Sequence, residues 1–292
     1  MRRVEGALVV EESSVRVDGR LRTMTVVRPD VVEPGAPVVL VFHGSNQDAR
    51  TIRRFAGHSF DRFAEHGGAV VVYLDGHKKN WNDARVSSAF AARTEGFDDV
   101  AFAGAVVDLL VERHGVDPAR VHAVGYSAGG AMVIRLAHEV PSRLAGIGIV
   151  AATMPEPENL LPFDAPVVPL PVVLFHGTED RLVPYEGGMA SLWGFRPRGL
   201  GLSARETAAY FADRNGITTA PESRDLGHRD GDRTTVERTD FRQDGRPPVT
   251  LYTIHGGGHV VPGPGRPLFI MGRSTRSLVA AEALGEAFGI TT

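Results

Sequence analysis

The 292-residue chain contains no cysteine. Disulfide staples, thiolate metal sites and a cysteine nucleophile are thereby excluded. Aromatic residues make up only 7%, too few to expect an aromatic-studded face for gripping an insoluble polymer. A marked excess of either sign of charge is missing as well. The 32 basic and 35 acidic residues leave a formal net charge of −3, which gives no electrostatic reason to expect nucleic acid or an anionic membrane as partner. No apolar run approaches membrane-spanning length. The opening "MRRVEGALVVEESS" has two arginines but too short an apolar stretch for the core of a signal peptide. A cytoplasmic location is the expectation, with a secreted mature chain as the alternative.

What is present is ordinary for a soluble globular protein: 42% hydrophobic and 23% charged residues. With no internal repeat, low-complexity segment or domain boundary, residues 1–292 read as a single domain. Short apolar runs rich in valine recur at 37–44, 69–76, 121–127, 146–152, 171–177 and 249–256. They are continuous rather than alternating, as strands covered on both faces of a parallel sheet should be. Helical patterns lie between several of them, at 98–115, ending on Gly115, and at 128–141, halted by Pro141. A last one, 274–289, opens on serine and threonine, both good cap residues. Strands alternating with helices predict an α/β fold with a mostly parallel sheet. "SSVRVDGRLRTMTVVRP" alternates around Asp18-Gly19 and predicts an antiparallel hairpin on the sheet edge. The charge-dense stretch 222–246 reads as solvated surface.

The chemistry centres on "VHAVGYSAGGAM", residues 121–132. Gly125-Tyr126-Ser127-Ala128-Gly129 stands where a strand turns into a helix, the setting of the nucleophile elbow of α/β-hydrolases. With 34 glycines, chance alone produces Gly-x-Ser-x-Gly in roughly one chain in six of this composition. The strand–turn–helix context is therefore what carries the reading. A serine nucleophile needs a base, and the base an orienting carboxylate, in the chain order Ser, Asp or Glu, His. Asp180 follows one strand and His259 another, the latter in a glycine-rich loop. Glu179 and His255 are the rivals; Asp180 lies further past the strand, and His255 sits at the end of the strand itself. His43 and His176 each precede a glycine at a strand end and read as loop-shapers. The oxyanion hole requires two backbone N–H donors, one on Ala128 and one from the loop after the early strand, on Ser45 or Asn46. There is no HExxH, no P-loop and no GxGxxG after a strand. The Asp-Gly-Asp-Arg run at 230–233 falls short of a calcium loop. A site without metal or cofactor is expected.

Taken together, "HGSNQDA", "VVYLDGHKKNWND", "HGTEDRLVPYEGG", "LSARETAAYFADRNG", "GGGHVVPG" and the long stretch 98–132 resemble the polyhydroxybutyrate depolymerase and feruloyl/acetylxylan esterase family of α/β-hydrolases. The resemblance runs from about residue 36 to the last helix. It implies an α/β-hydrolase fold, a Ser127–Asp180–His259 triad, an oxyanion hole near Ser45 and Ala128, and cofactor-free hydrolysis of a small-molecule carboxylic ester. There are departures. Ile217 stands where members often carry a cysteine, Val260 and Val261 where many have an aromatic after the histidine, and "HGS" where "HGC" is frequent. Trp81, Tyr126, Trp193 and Val260 are the candidate substrate contacts. The excursion at 185–203, with Leu192, Trp193 and Phe195 among glycines, reads as a mobile cover, within a possible lid or cap spanning 185–216. Small soluble esters or hydroxyacid oligomers are the expected substrates. A lactonase, thioesterase or acyl-transferring enzyme, a polymer esterase, and a non-catalytic binding protein on the same fold are the alternatives.

Overall fold

Valine-rich runs with no polar alternation must bury both of their faces, and the sheet is arranged to do so. The structure, a computed structural model, describes residues 8–192, 195–266 and 268–292. Its strands are β1 (Leu8–Val17), β2 (Arg20–Pro29), β3 (Val38–Phe42), β4 (Val70–Leu74), β5 (Val121–Tyr126) and β6 (Gly146–Val150). There follow β7 (Val172–Gly177), β8 (Gly188–Leu192), β9 (Phe195–Gly201), β10 (Glu222–Asp225), β11 (Thr235–Phe241) and β12 (Val249–His255). The main sheet has the order β1-β2-β4-β3-β5-β6-β7-β12-β11-β10, and β8 pairs with β9 apart from it. From β4 to β12 every neighbour is parallel. Antiparallel strands close both edges.

Successive residues of the central strands go to opposite sides. Val38, Leu40 and Phe42 join one apolar cluster with the helices Asp99–His114, Ala128–Glu139 and Ala204–Arg214. Val39 and Val41 join the other, with the helices Ala49–Phe55 and Ala280–Phe288. The N-terminal hairpin turns at Asp18-Gly19, both at positive φ (49° and 75°), which matches the twist of the flanking strands.

Two expectations need correction. The polar stretch 222–246 is not merely a solvated face: β10 and β11 extend the sheet, with Val236 and Arg238 turned inward on β11. The last helix begins at Ala280 rather than at the serines. The segment before it is bound by Asp232 instead, whose Oδ2 accepts from Thr275 Oγ1 (2.9 Å), Arg276 N (2.7 Å) and Ser277 Oγ (2.8 Å). That carboxylate holds the chain in a turn and delays the helix by about one and a half turns.

Candidate active site

The register of the parallel strands puts the loops after β3, β5, β7 and β12 at the same carboxyl-terminal edge, where open α/β sheets collect their functional groups. Ser127 sits in the sharp turn between β5 and the helix Ala128–Glu139, at φ 55° and ψ −119°. Few non-glycine residues hold such a conformation. Its neighbours explain how it is possible. A Cβ on Gly125 would lie 2.1 Å from the Gly129 carbonyl oxygen, and one on Gly129 would lie 2.1 Å from that of Phe42. Only glycine lets strand, turn and helix approach so closely.

His259 lies with Nε2 2.9 Å from the Ser127 hydroxyl and Nδ1 2.7 Å from Asp180 Oδ2. An ionised carboxylate only accepts, so Nδ1 carries the proton and Nε2 presents its lone pair to the hydroxyl. Asp180 is buried, and its Oδ1 accepts from the backbone N–H groups of Leu182 and Val183, both at 2.9 Å. Burial opposes its charge, but His259 and hydrogen bonds from His176 and His259 outweigh that and hold its pKa well below the usual carboxylate range. The rivals are elsewhere. Glu179 pairs with Arg273 at 3.5 Å at the exposed surface, and His255 with Glu237 at 3.3 Å in a half-buried contact.

The loop after β3 is clamped from three directions. His43 is fully buried, and burial lowers its pKa to about 4. It is therefore neutral, accepting at Nε2 from Gly76 N (2.9 Å) and donating from Nδ1 to Gly44 O (2.8 Å). Trp81 Nε1 donates to the His43 carbonyl at 2.8 Å, with the two rings 4.7 Å apart. Asn46 N donates to Lys79 O at 2.9 Å. That bond removes Asn46 as an oxyanion donor, whereas the Ser45 and Ala128 N–H groups make no hydrogen bond among the described residues. Ser45 and Ala128 both line the cavity beside Ser127.

That cavity has a volume of about 400 Å³. Tyr126 lines it, as expected, and its hydroxyl donates to the His259 carbonyl. Two other sequence candidates do not line it. Trp81 is buried behind the loop after β3 and braces it. Val260 is buried instead and borders a small void it shares with Phe175, His176 and Ile254. Trp193 lies outside the described residues, as do the side chains of Leu192 and Phe195. The described part of the β8–β9 hairpin lines one wall of the cavity. The following helix Ala204–Arg214 is not part of it; it opens with a Ser203–Glu206 capping box and packs onto the sheet. The hairpin is tied down on its β9 side: Leu200 O accepts from Glu156 N (3.1 Å) and Asn159 Nδ2 (3.0 Å), and Arg198 O from Ser87 Oγ (2.8 Å).

Sequence reasoning missed the apolar rim. Leu268, Phe269 and Ile270 are 70%, 98% and 58% exposed, and Leu268 and Ile270 line the mouth of the cavity. The run of four apolar residues behind "PGPGRP", Leu268 to Met271, is the available signal. It also missed Arg85 and Arg198 in the cavity wall. No helix among the described residues is long and apolar enough to cross a membrane. Among the same residues no group of three or more His, Cys, Asp or Glu side chains is placed to hold a metal ion.

The chain is similar in sequence and in fold to proteins described as esterases. A family model described as phospholipase/carboxylesterase matches residues 26–192. A protein named "Putative esterase NocK", from Nocardia uniformis subsp. tsuyamanensis, is 33% identical over 258 residues, covering 85% of this chain and 72% of that one. Feruloyl esterase B of Piromyces equi is 27% identical over 240 residues, 78% of this chain but only 40% of the relative's length. Among solved structures, an acetyl xylan esterase from Aspergillus awamori superposes with a TM-score of 0.60 at 14% identity, over 96% of this chain and 99% of that one. At that identity the likeness speaks for the fold.

Proposed function

The chain belongs to the phospholipase/carboxylesterase family of α/β-hydrolases, and from that membership we propose that it cleaves carboxylic esters through an acyl-enzyme on Ser127. The observation that carries the reading is the unbroken relay from Ser127 Oγ through His259 to Asp180, at 2.9 and 2.7 Å. His259 takes the serine proton as the hydroxyl attacks the ester carbonyl. The carbonyl oxygen becomes an oxyanion held by the N–H groups of Ser45 and Ala128. The imidazolium, stabilised by Asp180, returns the proton to the leaving alcohol, and water repeats the sequence on the acyl-enzyme. The elbow fixes the nucleophile before substrate arrives, so little reorganisation is left for the transition state.

A cavity of about 400 Å³ lies at the lower end of the range for drug-sized ligands. That size favours small soluble esters and short hydroxyacid oligomers. A second reading has its own observation: the exposed Leu268-Phe269-Ile270 rim supplies the aromatic grip that composition argued against. On that reading the enzyme works at an apolar surface, as a polyester or lipid esterase would. A p-nitrophenyl ester panel run in parallel with polyhydroxybutyrate film separates the two. Faster release per active site from soluble esters supports the first reading. Faster release from film, abolished by Phe269→Ser, supports the second.

A further inference from the structure

Asp180 is reached by a second histidine. His176 stands on β7 opposite Thr253 of β12, so the parallel ladder fixes its backbone. Its Nε2 lies 2.9 Å from the Val183 carbonyl oxygen and 3.4 Å from Asp180 Oδ2. Both of those atoms are acceptors, so Nε2 carries the hydrogen and donates. Val183 closes a ring, because its own N–H donates to Asp180 Oδ1 at 2.9 Å. One imidazole thus holds the Asp180 turn at two points, through Val183 and by its approach to the carboxylate itself.

The pair is sealed from water. The side chains of His176 and Asp180 are 1% and 0% exposed. A carboxylate buried so completely needs its lone pairs met by fixed donors. The Leu182 and Val183 N–H groups occupy Oδ1, and Oδ2 faces the two histidines. Behind His176, the Tyr185 ring packs edge-on at 5.9 Å and is itself tied by its hydroxyl to Thr253 Oγ1 at 2.8 Å. Asp180 belongs to a loop, whereas His176 and Thr253 belong to the sheet. The carboxylate therefore takes its place from the sheet.

Resting on the ester-hydrolase reading, we propose that His176 is a positioning residue for the reaction, acting through Asp180 on His259. It does not line the catalytic cavity. Its loss should therefore lower kcat and leave KM nearly unchanged, because what is lost is alignment of the base and not contact with the ester.

Three substitutions and two readouts test this. Met fills much of the ring's space but donates nothing. Asn donates, but its amide ends short of both acceptors, whereas Gln carries its amide close to where Nε2 stands. The readouts are hydrolysis of p-nitrophenyl acetate and the low-field proton resonance of His259 Nδ1–H, seen in histidine-labelled protein and assigned by its absence from His259→Gln. His176→Met and His176→Asn should each lower kcat about tenfold, with KM within about twofold, and should shift or broaden that resonance. His176→Gln should recover most of kcat and the wild-type resonance. Wild-type kcat with an unmoved resonance in both His176→Met and His176→Asn overturns the role and leaves the hydrolase reading standing. Equal losses of kcat in all three variants also overturn it, since bulk rather than the donor would then be what matters. Should His176→Met fail to fold, the contrast between His176→Asn and His176→Gln decides in the same way. If the wild type leaves p-nitrophenyl esters intact, the hydrolase reading fails and the role with it.

Discussion

The Tyr126 hydroxyl donates to the backbone carbonyl of His259 at 2.8 Å, tying the residue before Ser127 to the proposed base. The two positions are 133 residues apart in sequence. The bond is buried, and the Tyr126 and His259 rings lie 5.2 Å apart. Burial, together with the negative charge of nearby Asp180, raises the Tyr126 pKa far above its ordinary value, so the phenol stays protonated and keeps donating. The triad distances thus depend on a bond outside the triad.

Removing that hydroxyl should loosen the base without removing it. Tyr126→Phe leaves the His259 carbonyl unpaired in the interior, at a cost of about 1–3 kcal/mol. We expect kcat on p-nitrophenyl acetate to fall by roughly tenfold, with a smaller change in KM. An unchanged kcat would show that the loop is held adequately by its other bonds, from His259 N to Met271 O and Gly258 N to Arg273 O.

The two adjacent acids after β7 should behave very differently. Asp180→Asn keeps the shape but offers His259 Nδ1 an amide in place of a carboxylate, and should lower kcat by about 10⁴-fold. Glu179→Gln loses only an exposed pair with Arg273, so activity should stay within about twofold. Measuring both variants on one substrate settles which acid orients the base; the opposite ranking would reassign it.

Stability should fall on mild acidification. Burial lowers the pKa of His43, His122 and His138 from an ordinary 6.5 to about 4 each. Between those values the unfolded chain binds more protons than the native one, so stability is full above pH 6.5 and is lost as pH falls toward 4. Asp180 is also depressed, but its contribution disappears only below the ordinary carboxylate range. Urea midpoints should therefore decline between pH 7 and 4.5. His122→Phe should flatten that decline, since this ring already stacks on Phe288 at 4.3 Å with its Nδ1 unpaired. A midpoint independent of pH over this interval would contradict the assignment.

Much of this architecture is legible in the sequence. The six central strands are placed to within two residues because a valine run buried on both faces has few other options. That Ser127, Asp180 and His259 come together is legible because chemistry and chain order constrain their positions jointly. The edge strands β10 and β11 escape notice because an edge tolerates charge on exposed positions, and "ESRD" has no apolar residue to betray it. Trp81 and Val260 were misplaced for a different reason. Val260 follows His259 in sequence and Trp81 belongs to a segment singled out by resemblance, and neither fact says which way a loop turns; both are buried and do not line the cavity. The rim at Leu268–Ile270 was invisible to composition because one exposed phenylalanine in the right place outweighs a low aromatic total.

The most direct test of the central claim is covalent. Wild-type protein treated with a fluorophosphonate should gain a single adduct by intact mass, located by peptide mapping to Ser127, with loss of esterase activity in proportion. Ser127→Ala should remain folded, take up no probe and lose about 10⁴-fold or more in kcat. An adduct on another serine, or near wild-type turnover by Ser127→Ala, would contradict the account.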